Sequence, residues 1–393
     1  MRSWLLSGAM IFLAGCSSSS GAGSSSGGTP GYATGGNGGT GGNGDTSGSS
    51  GGGGSGGGSG GFGGSGSSGG GSSGGGSYSS TSGDAGSAFD GGVPAGILTA
   101  GAWDDNRNYD FFGAYLSANA QLSGIPVIPS SARDAAHTLF AGTRAARQQL
   151  DVALVIDTTG SMGDEIAYLQ SEFADISAAI DGVFPNAATR WALVAYRDTP
   201  DYDPGDAYVV KSWDFTTDVT SFQSEVDGLS ADGGGDTPES PEIGLHTMNG
   251  LSWRTGTSVA RLAFWVGDAP HHVERAPSMV TEFTTAAGQD VHLYPVSGSG
   301  ADELLEYTMR SGAQLTGGRY LFLTDDSGVG GPHLAPSIPC YFVTKLSKAI
   351  VRMATIELSG VYAEPAAADI IRYGGNPSSG VCQVEGGGTV SVF

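Results

Sequence analysis

The residues from Val152 to Ile156 form an unbroken apolar run. It is too short for an ordinary helix and shows no alternation, which is the pattern of a strand buried on both faces of a parallel sheet. The run stops at Asp157. Beyond it, Ile166, Leu169, Phe173, Ile176 and Ile180 recur at spacings of three and four, predicting a helix with one apolar face that closes at Asp181-Gly182. The alternation then continues. Trp191 to Tyr196 and Ala207 to Trp213 read as strands, and Val219, Phe222, Val226 and Leu229 as a helix face. Ser240-Pro241 reads as the cap and first turn of the next helix. Leu262 to Val266, Val291 to Val296 and Tyr320 to Leu323 supply further strands, and Val343, Leu346, Ile350 and Met353 the face of a last helix. Strands alternating with helices predict an α/β protein: a Rossmann-like, doubly wound, mainly parallel central sheet with helices on both faces.

The chain does not begin with this pattern. An apolar run from Trp4 to Ala14 follows Met1-Arg2; it is too short to span a bilayer and reads as a secretory signal. Its end, Leu13-Ala14-Gly15-Cys16, resembles the lipobox of bacterial lipoproteins. That resemblance implies lipidation of Cys16, and Ser17 in place of Asp after it implies sorting to the outer membrane. Residues 17–83 are mostly Gly and Ser, with isolated Tyr32, Phe62 and Tyr78. Nothing there can bury a core, so a disordered linker is expected. A flexible coil of roughly 65 residues has a root-mean-square span of about 45 Å, enough to hold a folded head away from a membrane.

The net charge of −22 argues against nucleic acid and against electrostatic attachment to anionic lipid, so attachment to the envelope has to be covalent. Of three cysteines, Cys16 belongs to the lipobox. The even remainder in an exported chain points to a Cys340–Cys382 disulfide, with two buried thiols as the alternative.

The apolar run at Val152 to Ile156 leads into the candidate chemistry. Asp157, Thr159 and Ser161 place oxygens at alternate positions of a Gly-containing loop, at the carboxyl end of a strand, where open α/β sheets hold their ligands. One carboxylate with two hydroxyls is a hard-oxygen set, suited to Mg²⁺ or Mn²⁺. Asp157-x-Thr159-x-Ser161 resembles the first loop of the metal-ion-dependent adhesion site of von Willebrand factor type A domains, Asp-x-Ser-x-Ser, with Thr keeping the first hydroxyl. The family also takes a Thr from a second loop and an Asp from a third. Gly234-Gly235-Asp236-Thr237 and Val266-Gly267-Asp268 match these, and the wording is similar to the hemicentin-like and bacterial subgroup. The resemblance covers residues 150–358 and implies that fold, with Asp157, Thr159, Ser161, Thr237 and Asp268 around the ion. It also implies a hairpin whose tip, bearing Asp201, Asp203 and Asp206, approaches the metal face.

The expected organisation is therefore a signal and lipobox (1–16), a linker (17–83), an N-terminal extension packed on the head (84–149), the type A domain (150–358) and a tail (359–393). Within the extension, Asp104, Asn106, Asn108 and Asp110 alternate as Ca²⁺ ligands do, but Tyr115 stands where an EF-hand needs its bidentate Glu. Packing of Trp103, Tyr109, Phe111 and Phe112 on the main domain is the expected role instead. A strand is expected at Ile125 to Ile128, with an Arg-bearing helix after it. Gly298 to Glu303 lacks the third glycine of a dinucleotide loop. His271 and His272 are adjacent, point apart, and are assigned to the surface or to supporting roles; His292 is assigned as a hydrogen-bonded, half-buried strand residue. Arg197-Asp198 either orients the metal loops or forms a simple ion pair. Thr389 to Phe393 reads as an edge strand or hairpin.

Two functions of different class are compatible with this set. One is a lipid-anchored extracytoplasmic binding or adhesion module whose ion completes its coordination with an oxygen from a protein or glycan. The other is a metal-dependent hydrolase, which would need a nucleophile or base near the ion; only His271, His272 and scattered carboxylates are available, and no triad or His-Glu-x-x-His spacing occurs. Binding is the preferred reading, with a structural domain carrying a vacant metal site as its variant.

Overall fold

The computed structural model describes residues 97–103, 113–235, 237–338, 340–383 and 388–392. The lipobox, the linker, the alternating Asp104 to Asp110, the aromatics Tyr109 to Phe112, and Asp236 lie outside the described residues.

The first described element is a strand, β1 (Thr99–Trp103), followed by helices α1 (Gly113–Ser123) and α2 (Ser130–Ala141). The sheet's centre begins with β2 (Gln149–Asp157), α3 (Gly163–Val183), β3 (Ala188–Tyr196) and its antiparallel hairpin partner β4 (Val210–Thr216). Helices α4 (Val219–Asp227) and α5 (Pro241–Asn249) lead to β5 (Val259–Gly267). Then come α6 (Ala276–Gly288), β6 (His292–Ser297), α7 (Glu303–Thr316), β7 (Tyr320–Leu323), β8 (Tyr341–Lys345) and α8 (Leu346–Ser359). The tail adds β9 (Arg372–Gly374), β10 (Val381–Gln383) and β11 (Thr389–Ser391), the last two pairing as the antiparallel hairpin expected of the C-terminus.

The main sheet has nine strands in the order β4-β3-β2-β5-β6-β7-β1-β8-β9. The stretch β3-β2-β5-β6-β7 is parallel throughout. Burial explains the unbroken apolar runs. Val152, Leu154 and Ile156 face α3, α4 and α8 in one core, while Ala153 and Val155 face α5, α6 and α7 in another. Both faces of β2 are therefore dry, so the two-residue period cannot show as a polar alternation. In the first core Trp191 meets Phe173 edge-on, with ring centroids 4.8 Å apart, and Phe222 packs beside both.

Four expectations are corrected here. Residues 99–103 do more than pack on the head, because β1 is inserted into the sheet, antiparallel to β7 on one side and to β8 on the other. Residues 124–129 form no strand. Pro126 and Pro129 lack the N–H groups a ladder needs, the Ile125 N–H goes to the Ser123 hydroxyl at 3.1 Å, and the Ile125 carbonyl accepts from the Tyr307 hydroxyl at 3.0 Å. Val343 lies in β8, not on the face of α8, and its strand exists because β1 is there to pair with. The third strand also starts three residues later than its pattern suggested, at Val210. Cys340 and Cys382 form a disulfide, Cα–Cα 6.1 Å, tying the segment before β8 to β10.

Candidate metal centre

The strands that carry candidate ligands, β2 and β5, are neighbours inside the sheet and present them at their carboxyl ends. β2 delivers Asp157 at its last residue, β5 ends at Gly267 just before Asp268, and Thr237 precedes α5. The loop after β2 folds back on its own carboxylate. Asp157 Oδ1 accepts from the Thr159 backbone N–H at 2.9 Å and from the Thr159 hydroxyl at 2.8 Å. That fixes Oδ1, while Oδ2 is buried, makes no hydrogen bond of good geometry and has the Tyr196 hydroxyl as its polar neighbour. Asp268, 7% exposed, takes a hydrogen bond from the Ser161 hydroxyl, and its Oδ1 is buried and makes no hydrogen bond of good geometry. Ser161, Thr237, Glu239 and Asp268, with Ser299, Gly300 and Asp302, line one cavity of about 250 Å³. At roughly 30 Å³ per liquid water, that is room for an ion with several waters.

The second loop is packed against the first through backbone rather than side chains. Gly160 N–H donates to Gly233 O and Asp232 N–H to Thr158 O, each at 3.1 Å. Gly234 has φ +68°, and a Cβ there would lie 2.7 Å from Thr159 Cβ and 2.8 Å from Glu239 Oε1, so only glycine lets the loops close. Gly267 is constrained in the same way, since a Cβ would stand 2.9 Å from the Tyr196 hydroxyl and 3.5 Å from Asp157 Cβ. Tyr196 is held by Trp265 Nε1, which donates to its hydroxyl at 3.0 Å.

Arg197 resolves its two sequence readings in favour of loop orientation. Its guanidinium donates to Thr158 O and to Ser230 O, both at 3.1 Å, and so binds the first loop to the second. It lies 3.7 Å from Asp206, and its plane covers the Tyr208 ring, whose hydroxyl hydrogen-bonds the Thr158 hydroxyl at 2.6 Å. Asp198 works beside it, accepting from Ser240 Oγ at 2.5 Å and meeting His272 Nε2 at 3.0 Å. Ser240 is thus spent on Asp198 and does not cap α5 with its side chain, contrary to expectation. The hairpin tip does reach the metal face: Asp203 Oδ2 accepts from Gly235 N–H at 2.9 Å.

Neither histidine of the pair is at the surface. His271 is 1% exposed, with Nε2 against Ser123 O at 3.0 Å, and His272 is 6% exposed and stacked on Tyr202. Ser123, at the end of α1, covers His271, and Asp198 and Tyr202 hold His272, which a pattern within the residues around 271 could not reveal. His292 is 2% exposed rather than half-buried, because β6 is an inner strand, and it does hydrogen-bond, to Glu357 at 2.7 Å. Gly298 and Ser299 build no nucleotide cradle; Ser299 N–H and Oγ donate to Glu165 Oε1 at 2.9 and 2.6 Å. Glu165, in the first turn of α3, carries no sequence signal beyond its place three residues before Tyr168, yet it links the α3 terminus to the loop after β6.

The electrostatics are those of acids buried beside one another. Burial, then the charge of Asp268, pushes the Asp157 carboxyl up to about 7. Burial raises Asp268 to about 6, with the Glu165 charge adding to it and the Ser161 hydrogen bond opposing. Glu239 goes up to about 9, from burial first and then from the charges of Asp157, Asp198, Asp206 and Asp268. Among the described residues no three His, Cys, Asp or Glu side chains converge closely enough to hold an ion by themselves. Two carboxylates completed by neutral hydroxyls are instead the donor set of a hard divalent cation, and buried carboxylate oxygens with no hydrogen bond of good geometry are the groups such a cation would satisfy.

Residues 151–293 match the family model of the von Willebrand factor A domain. Among curated proteins, an ariadne-like RING finger protein of Acanthamoeba polyphaga mimivirus is 29% identical over 143 residues, covering 36% of this chain and 13% of that protein. The chain thus spans only a small part of that relative's length. Among solved structures, the pilus adhesin SpaC from Lactobacillus rhamnosus GG in its open conformation covers 44% of this chain and 28% of its own, at 12% identity and TM-score 0.33. BatB from Bacteroides thetaiotaomicron covers 44% of this chain and 89% of its own, at 14% identity and TM-score 0.32.

Proposed function

We propose that this chain is a lipid-anchored binding or adhesion module of a bacterial envelope, exported and held by Cys16 to the outer membrane, and that its head recognises a protein or glycan through a metal-ion-dependent adhesion site. Asp157, Thr159, Ser161, Thr237 and Asp268 would hold Mg²⁺ or Mn²⁺. When bound, the ion supplies a Lewis-acidic position that a partner's oxygen can complete.

The observation that carries this reading is the pair of buried oxygens that make no hydrogen bond of good geometry, Asp157 Oδ2 and Asp268 Oδ1, in a head whose metal loops meet at one cavity. The chain's own residues do the positioning. Thr159 fixes the Asp157 carboxylate, Ser161 steadies Asp268, and Arg197 keeps the first two loops in register.

Binding is favoured over hydrolysis by the state of the histidines. His271 is tied to Ser123 O and His272 to Asp198, so each has a structural task and neither is presented to the cavity lined by Ser161 and Thr237.

The test is a pull-down from envelope extract with the full-length chain in detergent, with and without EDTA. Recovery of a defined protein or glycan that EDTA abolishes is expected. Equal recovery with EDTA, or turnover of a hydrolase substrate panel that depends on the metal, would contradict the reading.

A further inference from the structure

Glu239 is hard to account for as a structural residue. It is 2% exposed, its Oε2 has no hydrogen-bond partner, and the charges that act on it are the carboxylates of Asp157, Asp198, Asp206 and Asp268. A buried carboxylate among carboxylates is unfavourable unless it takes up a proton or something positive sits between them. Its position is nonetheless enforced. The Glu239 N–H donates to Pro270 O at 2.9 Å, the residue bridges His271, and Gly234 leaves no Cβ so that Oε1 can pass. The backbone of the second loop is thus clamped to the third loop two residues beyond Asp268, with the Glu239 side chain lining the same cavity as Ser161, Thr237 and Asp268.

We infer that Glu239 is a third carboxylate of the metal centre, acting from the outer sphere by accepting a hydrogen bond from a water bound to the divalent ion. The inference rests on the metal reading above and adds a residue to it. Asp157, Asp268 and Glu239 form no three-acid cluster among the described residues, so beside two ligating aspartates Glu239 is assigned to the outer sphere. An outer-sphere carboxylate orients the bound water and adds negative potential, and loss of such a partner commonly costs 10–100-fold in metal affinity. Glu242 provides the contrast. It is buried next door with neither oxygen hydrogen-bonded, but it pairs with Arg275 at 4.0 Å, stands near His272 and does not line the cavity.

The experiment is calorimetric titration of the full-length chain with Mg²⁺ alone, for wild type, E239Q, E239D and E242Q, with melting curves in EDTA. Expected are roughly tenfold or greater weakening in E239Q, partial recovery in E239D, and less than about twofold change in E242Q. In EDTA, E239Q should melt no lower than wild type, since it removes an acid from among acids. Wild-type affinity in E239Q overturns this inference alone. A loss in E239Q matched by E242Q, or accompanied by a lower melting point in EDTA, also overturns it, since the effect is then on packing. Absence of Mg²⁺ binding by wild type overturns the metal centre and this inference with it.

Discussion

Glu357, near the end of α8, is fully buried and is the hub of an ionic network at the opposite end of the sheet from the metal loops. Its Oε1 receives His292 Nδ1 and the Tyr294 hydroxyl, each at 2.7 Å, and its Oε2 lies 3.2 Å from Arg144 and 3.7 Å from Arg147. Burial alone would raise this carboxyl, but the His292 charge and hydrogen bond and the Arg144 charge overcome it and bring it down to about 2 from 4.5. For His292, burial works downward, while the Glu357 charge and then Asp290 raise it to about 9 from 6.5. The two displacements share the Glu357–His292 interaction, with Arg144 adding on one side and Asp290 on the other, so they are not summed. Displacements of this size correspond to roughly 3 to 4 kcal/mol, in line with the ~3–5 kcal/mol typical of breaking one partner of a buried pair. Glu357→Gln should therefore lose about 3 to 4 kcal/mol in urea unfolding of the full chain at about pH 6. The sign of the pH dependence follows. Glu357 is depressed, so its contribution is present above about 4.5 and lost as pH falls towards 2. His292 is raised, so its contribution is complete below about 6.5 and lost as pH rises through 9. The difference between wild type and variant should peak between about pH 4.5 and 6.5 and shrink on both sides. A difference under about 1 kcal/mol at pH 6, or one that grows towards pH 9, would refute the reasoning.

Mutating Cys16→Ala should abolish fatty-acid labelling, and label retained in that variant would rule out the lipobox reading. The Cys340–Cys382 bridge, 42 residues apart in sequence, should stabilise by about 4 kcal/mol in the chain-entropy model; two titratable thiols in the unfolded, unreduced protein would contradict it. Because burial and mutual repulsion hold Asp157 near 7 and burial holds Asp268 near 6, metal must displace protons there. Titrations at about pH 6 in buffers of different ionisation enthalpy should show proton release, and affinity should fall as pH drops from about 8 to 5; affinity independent of pH would count against these two as ligands.

Much of this could be read from the chain because the parallel strands are buried on both faces and so appear as uninterrupted apolar runs. Tyr320 to Leu323 coincides with β7 residue for residue. The three candidate loops stood out because Asp157, Thr159 and Ser161 form a hard-oxygen set and Thr237 and Asp268 match the pattern the resemblance supplies. What was illegible depends on partners far away in sequence. Thr99 to Trp103 is small and weakly patterned, and it is a strand because β7 and β8, more than two hundred residues on, flank it. Gly101, whose neighbour across the strand is the Phe322 ring, has no room for a side chain. His271 looked exposed because its cover, Ser123, comes from the extension. Glu239 was visible as an acid, but its burial was not, since that follows from the clamp to Pro270.

The central claim is that Asp157, Thr159, Ser161, Thr237 and Asp268 hold a divalent ion, and the most direct test is the melting temperature of the full chain as a function of Mg²⁺ or Mn²⁺. A ligand of the native state stabilises by mass action, about 2.7 kcal/mol at a hundredfold excess over its dissociation constant. Wild type should show a saturable upward shift. Asp157→Ala and Thr237→Ala should show none, and His271→Ala, although less stable for losing its contact with Ser123, should keep the shift. No shift in wild type at millimolar metal, or a shift lost only in His271→Ala, would contradict the assignment.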